Sequence, residues 1–208
     1  MKIIDISMDI HEDMPVYKNK QEKKPLLART RTIEQGANES KITLDLHTGT
    51  HADAFYHMTE AGRTIDQMDL DAFIGSCLVL DFTKEKTITR ESIIQKKKII
   101  KKLDIILLKT RAAPLQTFNP EFCYLDSSGA SYLAKKRVKC VGIDTLGIER
   151  NQPGHETHTI LFRNSVAIVE GLELSKVKEG RYFFIGAPLK IVKGDASPIR
   201  AFLIDKKP

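Results

Sequence analysis

Apolar and polar positions along this chain alternate in short runs, and most runs carry the period of strands rather than helices. KIIDIS, near the start, reads as a short strand. ESKITLDLH alternates regularly, placing Ile42, Leu44 and Leu46 on one face and Thr43, Asp45 and His47 on the other. That pattern predicts a half-buried strand whose apolar face meets the core. FIGSCLVLDFT and DIILLKT are nearly continuous apolar runs, as expected of strands buried on both faces. CVGIDT reads as a further strand, and RYFFIGAPLKIV and PIRAFLID close the chain as strands. Helices are fewer. Thr89 can cap RESIIQKKK, with Glu91 in its first turn, and Asp126 or Ser127 can cap the segment ending LAKK. ETHTILFRN reads as a short helix leading into VAIVE. Without a repeat or a Gly/Ser-rich boundary, the expectation is one α/β domain over residues 1–208, dominated by strands.

Composition narrows the function classes. Hydrophobic residues at 41% and charged residues at 29% are ordinary for a soluble globular domain. No apolar run approaches the roughly 18 to 20 residues that span a bilayer, so no membrane partner is expected. Asp5 interrupts the N-terminus too early for a secretory leader. Cys77, Cys123 and Cys140 lie far apart and are odd in number, which fits buried thiols in a reducing cytoplasm. The net charge of +6 raises the question of a polyanion partner. Much of the excess sits in QKKKIIKK and the tail DKKP, and neither interleaves aromatics. Such runs are solvated faces, and no nucleic-acid partner is expected.

The chemistry concentrates in DLHTGTHADAFYHM, residues 45–58, which holds three of the six histidines and two aspartates. His47 leaves the preceding strand on its polar face, and Gly49 predicts a turn at TGTH. Continued extension would put His51, Asp53 and His57 on His47's side; a helix would instead pair His47 with His51 and Asp53 with His57. Spacing alone does not choose between them. Imidazole nitrogens and carboxylate oxygens are ligands for Zn²⁺, Mn²⁺ or Fe²⁺. Without cysteine ligands, a site with an open position for water is favoured over a closed structural zinc.

HTGTHADAFYH resembles the H-x-G-T-H-x-D-x-P-x-H signature of the metal-dependent cyclase-like hydrolases, which include bacterial kynurenine formamidases and isatin hydrolases. IIDISMDIHEDMPVY, VKCVGIDTLGIE, HTILFRNSVAIVEGL and GRYFFIGAPLKIVKGDASPIRAFLI resemble further segments of that family in the same order. The resemblance implies that His47, His51 and Asp53 bind a divalent metal. Asp53 would bridge to a second ion completed by His158 and Glu170, with His57 as the catalytic acid/base. It implies zinc, one ion or two, with manganese as the alternative. It also implies a β-rich α/β fold of the swivelling β/β/α type, a small-molecule substrate and a homodimer or homotetramer. The reaction implied is hydrolysis of an aryl-formamide or cyclic amide. Lactone or ester hydrolysis, cyclisation, dehydration and metal binding without catalysis stand as alternatives, because a fold does not fix a substrate. Tyr17 ends a loop that walls the substrate site in the family. Phe55 stands where the family has Pro, and either adds bulk beside the substrate or packs in the core. Asp144 is read as orienting a ligand histidine or as a turn residue, and His155 as a surface or rim residue.

Overall fold

A computed structural model describes residues 1–111 and 116–205. In chain order its strands are β1 (Lys2–Asp5), β2 (Leu26–Arg31), β3 (Glu39–Thr43), β4 (His51–Asp53), β5 (Ile74–Asp81), β6 (Thr87–Ile88) and β7 (Ile105–Lys109). They continue with β8 (Tyr124–Leu125), β9 (Cys140–Ile143), β10 (Ala167–Glu170), β11 (Gly180–Ile185), β12 (Ala196–Pro198) and β13 (Phe202–Asp205). The α-helices are α1 (Arg90–Gln95), α2 (Ser127–Lys135) and α3 (Glu156–Arg163). The last residues of the basic tail, 206–208, lie outside the described residues.

Nine strands form one mixed sheet in the order β1-β13-β11-β5-β7-β9-β10-β4-β12. Its centre, β5-β7-β9-β10, is parallel, and the flanking pairs are antiparallel. The continuous apolar runs become this centre: Ile105, Ile106, Leu107 and Leu108 are fully buried, as are Val141, Ile143 and Ile168. Parallel strands need crossovers, and the helices lie within those crossovers. Thr89 caps α1 by accepting from Ser92 N, and Asp126 caps α2 by accepting from Gly129 N. The helices pack in series, α1 on α2 and α2 on α3, while α3 also meets β10. Among the described residues no helix is long and apolar enough to cross a membrane.

One strand departs from its pattern. ESKITLDLH leaves extended structure at Thr43, and β3 pairs only with β2 in a separate two-stranded ribbon. Ile42 is 47% exposed instead of facing the core. Period two marks which residues share a face, but not whether another layer covers that face.

Asp144 orients no histidine. It is fully buried at the end of β9 and accepts from the backbone N–H and hydroxyl of Thr110, tying β9 to β7. Burial pushes its carboxyl up from 3.8 to about 7, against the hydrogen bonds from Thr110. The folded state therefore binds more protons than the unfolded chain between those values, and this residue's contribution to stability falls as pH rises through that window. Asp144→Asn is expected to gain stability relative to wild type as pH rises from 3.8 to about 7. Urea midpoints of the two proteins that run parallel with pH would contradict this.

Candidate metal centre

The site is built by strand pairing. In the β10–β4 register Glu170 stands opposite His51, and Ile168 opposite Asp53. Residues paired across an antiparallel ladder point to the same side of a sheet, and so do residues two apart. His51, Asp53 and Glu170 therefore share one face, although Glu170 is remote in sequence. The turn before β4 explains the glycine and threonine of the motif. Gly49 adopts a left-handed φ of 61°. Thr50, buried beside it, donates its hydroxyl to Gly171 O at 2.5 Å and accepts from Met8 N at 2.8 Å, joining three remote segments. Gly171 must itself lack a side chain, since a Cβ there would sit 2.2 Å from Gly49 O at a φ of +66°.

Each histidine of the cluster is held at one nitrogen and aimed with the other. His51 Nδ1 lies 2.9 Å from Gly49 O, which turns Nε2 toward Asp53 Oδ1 at 3.4 Å and Glu170 Oε2 at 3.5 Å. His158 stands in the first turn of α3, with Nδ1 2.5 Å from Glu149 Oε1. Its Nε2 faces Asp53 Oδ2 and Glu170 Oε1, each at 3.7 Å. His47 has Nε2 3.0 Å from Asp195 Oδ2 and Nδ1 3.0 Å from Asp53 Oδ1. Asp53 thus lies between two donor groups that share it, His47–His51–Asp53 and Asp53–His158–Glu170.

These donors fit a divalent cation better than they fit one another. Both oxygens of Asp53, and Nε2 of His51, are buried without a well-aligned hydrogen bond among the described residues, and the imidazole nitrogens stand 3.0, 3.4 and 3.7 Å from Asp53. Burial lowers the affinity of His51 and His158 for a proton, yet the carboxylates around them win and hold each at about 10. Asp53 is driven well below its usual range: burial opposes ionisation, and the imidazoles of His158, His47 and His51 overcome it. A cluster with this appetite for positive charge, made only of nitrogen and carboxylate donors, suits a divalent metal ion.

Comparison with known proteins agrees. The sequence model of the family described as "Putative cyclase" matches residues 4–150. The chain belongs to that family. Kynurenine formamidase of Delftia acidovorans (strain DSM 14801 / SPH-1) is 34% identical over 80% of this chain and 79% of its own. That of Geobacillus thermodenitrificans (strain NG80-2) is 33% identical over 96% of both chains. A solved structure described as a "potential metal-dependent hydrolase with cyclase activity" superposes with a TM-score of 0.90 at 44% identity, covering 100% of this chain and 99% of that one.

Other residues in this cyclase-family chain divide between cavity and core. A cavity of about 210 Å³ opens over the cluster, with Val16, Tyr17, Met58 and Leu146 as its apolar lining and His57 and Glu170 among its polar groups. His57 lies outside both Asp53 groups, its ring centroid 4.2 Å from that of His47 and 5.8 Å from that of His158. Burial pushes its pKa below 6.5; Asp53 pulls the other way, and His47 and His158 add to the fall. Tyr17 packs edge-on to Phe118 at 4.9 Å, and burial raises its phenol, with Glu170 and Glu149 adding to the effect. His155 sits at the rim in a left-handed conformation, φ 43°, with Nδ1 3.3 Å from Glu149.

Phe55 does not line the cavity. Its ring is in the core, 5.3 Å from Phe162 and edge-on to it, and Phe162 in turn backs His158 at 5.7 Å. Position 55 opens a short 3-10 turn after extended Ala54, a place that suits Pro and demands nothing of a side chain. Phe55→Ala is expected to cost about 3 to 5 kcal/mol, as for buried phenylalanine truncations. Metal content should be unchanged. A melting curve within a degree or two of wild type would remove the ring from the core.

Two residues of the site carried no sequence signal. Glu149 holds His158 Nδ1 and also accepts from Thr157 N at 2.9 Å, at the N-terminus of α3. Burial would raise its pKa, but the hydrogen bonds from His158 and Thr157 hold it below 4.5. Asp195, beside β12, reaches His47 from the far end of the chain.

Proposed function

We propose that this chain hydrolyses the amide bond of a small aryl-formamide, such as N-formylkynurenine, with zinc as its metal. At the coarser level, the kynurenine formamidase relatives and the metal-dependent hydrolase neighbour make it a hydrolase acting on a non-peptide C–N bond. The observation that carries the reading is the buried Asp53 carboxylate, without a well-aligned hydrogen bond yet encircled by three aimed imidazoles beneath the cavity. His47, His51 and Asp53 would hold one ion, and Asp53, His158 and Glu170 a second. A divalent metal supplies Lewis acidity, polarising a carbonyl and lowering the pKa of water to about 7.

The chain's own residues do the rest. Val16, Tyr17, Met58 and Leu146 bind the apolar body of the substrate against the imidazole side of the cavity. His57, kept neutral by burial, accepts a proton from the attacking water and returns it to the leaving nitrogen. Its Nδ1 lies on the Asp195 side at 3.9 Å, leaving Nε2 to exchange the proton. An amide nitrogen leaves poorly without that proton, so delivery governs the collapse step. The small-molecule substrate and a homodimeric or homotetrameric state belong to the same proposal, the latter checked by light scattering.

The test is a panel of N-formyl anilides, isatin-like lactams and lactones on zinc-loaded protein, with chelated protein as control. Formamide turnover lost on chelation is the expected result. Preference for lactones would replace the amide reading, and no metal-dependent turnover at all would leave a binding protein.

A further inference from the structure

A histidine that ligates a metal through one nitrogen needs an acceptor for the hydrogen on the other, or its ring is free to turn. Within the cluster, His51 uses the carbonyl of Gly49 and His158 uses the carboxylate of Glu149. His47 is the most exposed of the three, 18% against 2% and 7%, and its acceptor is Asp195. Asp195 is fixed by its backbone, whose carbonyl accepts from Ala54 N at 3.0 Å, and the next residue, Ala196, pairs with Asp53. Its side chain reaches from there to His47 Nε2 at 3.0 Å, with His57 Nδ1 3.9 Å from the same oxygen.

We infer that Asp195 is the positioning residue that sets His47 for metal binding, its carboxylate holding Nε2–H so that Nδ1 points to Asp53, while also limiting the swing of His57. One carboxylate from the β12 end of the chain then ties the metal side of the site to the His57 side. The inference rests on His47 being a ligand. The Asp195 side chain is 43% exposed, so removing it opens no core cavity, and any effect must travel through the imidazoles.

The experiment compares wild type, Asp195→Ala and Asp195→Asn, each stripped by chelator and titrated with Zn²⁺ against a chromophoric chelator. Asp195→Ala is expected to bind Zn²⁺ about 10- to 100-fold more weakly. Asp195→Asn, which keeps an oxygen to accept the same hydrogen, should recover part of that loss. Melting of the metal-free proteins should be the same for all three, which separates positioning from a structural role. If wild type binds no Zn²⁺, the metal-centre reading fails instead. If wild type binds and Asp195→Ala binds equally well, the positioning role is overturned. Loss of a whole zinc equivalent in Asp195→Asn would make Asp195 a ligand and also overturn it, as would a lower melting temperature of metal-free Asp195→Ala.

Discussion

His51→Ala will leave a folded protein that has lost metal and turnover together. The side chain is 2% exposed, and its Nε2 lies 3.4 Å from Asp53 and 3.5 Å from Glu170, nearer to both carboxylates than His158 Nε2 at 3.7 Å from each. No neighbour can replace it, because His47 and His158 already face Asp53 with one nitrogen and are held at the other by Asp195 and Glu149. The backbone of β4 keeps its pairing with β10 and β12, so the fold survives. Two buried carboxylates would then face each other with one imidazole fewer, and removing a partner from a buried charge is strongly unfavourable. Turnover should fall by more than the roughly 10⁴-fold that marks the upper range for a proton-transfer residue. Elemental analysis beside turnover measures both. Full metal content in His51→Ala would remove His51 from the ligand set.

His57→Ala will keep its metal and lose about 10²- to 10⁴-fold in rate, the range for a general acid/base. Asp53 remains ringed by His47, His51 and His158 without it. Burial holds His57 below 6.5, so its neutral, proton-accepting form persists further into acid than an ordinary histidine's. The rate advantage of wild type over His57→Ala should therefore be present at neutral pH and shrink only as pH drops below that lowered value. Metal loss in this variant would make His57 a ligand. Full activity with metal retained would take it out of the mechanism.

Much of this was legible in residues 45–58, because a turn glycine, three histidines and two aspartates are local facts. The apolar runs at Cys77–Leu80 and Ile105–Leu108 likewise announced buried strands, since burial on both faces demands uninterrupted apolar side chains. Thr89 and Asp126 marked their helix starts because capping is satisfied within one turn. His158 and Glu170 were reached only through family resemblance.

What the sequence by itself determined was whatever neighbours along the chain can satisfy: strand runs, caps, the turn at Gly49 and the crowding of His47, His51 and Asp53. The tertiary structure alone decided which faces are covered and which remote groups meet. Ile42 alternates as a core residue does, yet its ribbon stands apart from the large sheet. Phe55 sits inside the motif, yet its ring turns to Phe162 and away from the cavity. Glu149 and Asp195 look like any loop carboxylates until the α3 N-terminus and the β12–β4 pairing set them against His158 and His47. The physical reason is that hydrogen bonds and ion pairs act over a few ångströms of space, and only the register of β10, β4 and β12 converts distance along this chain into that proximity.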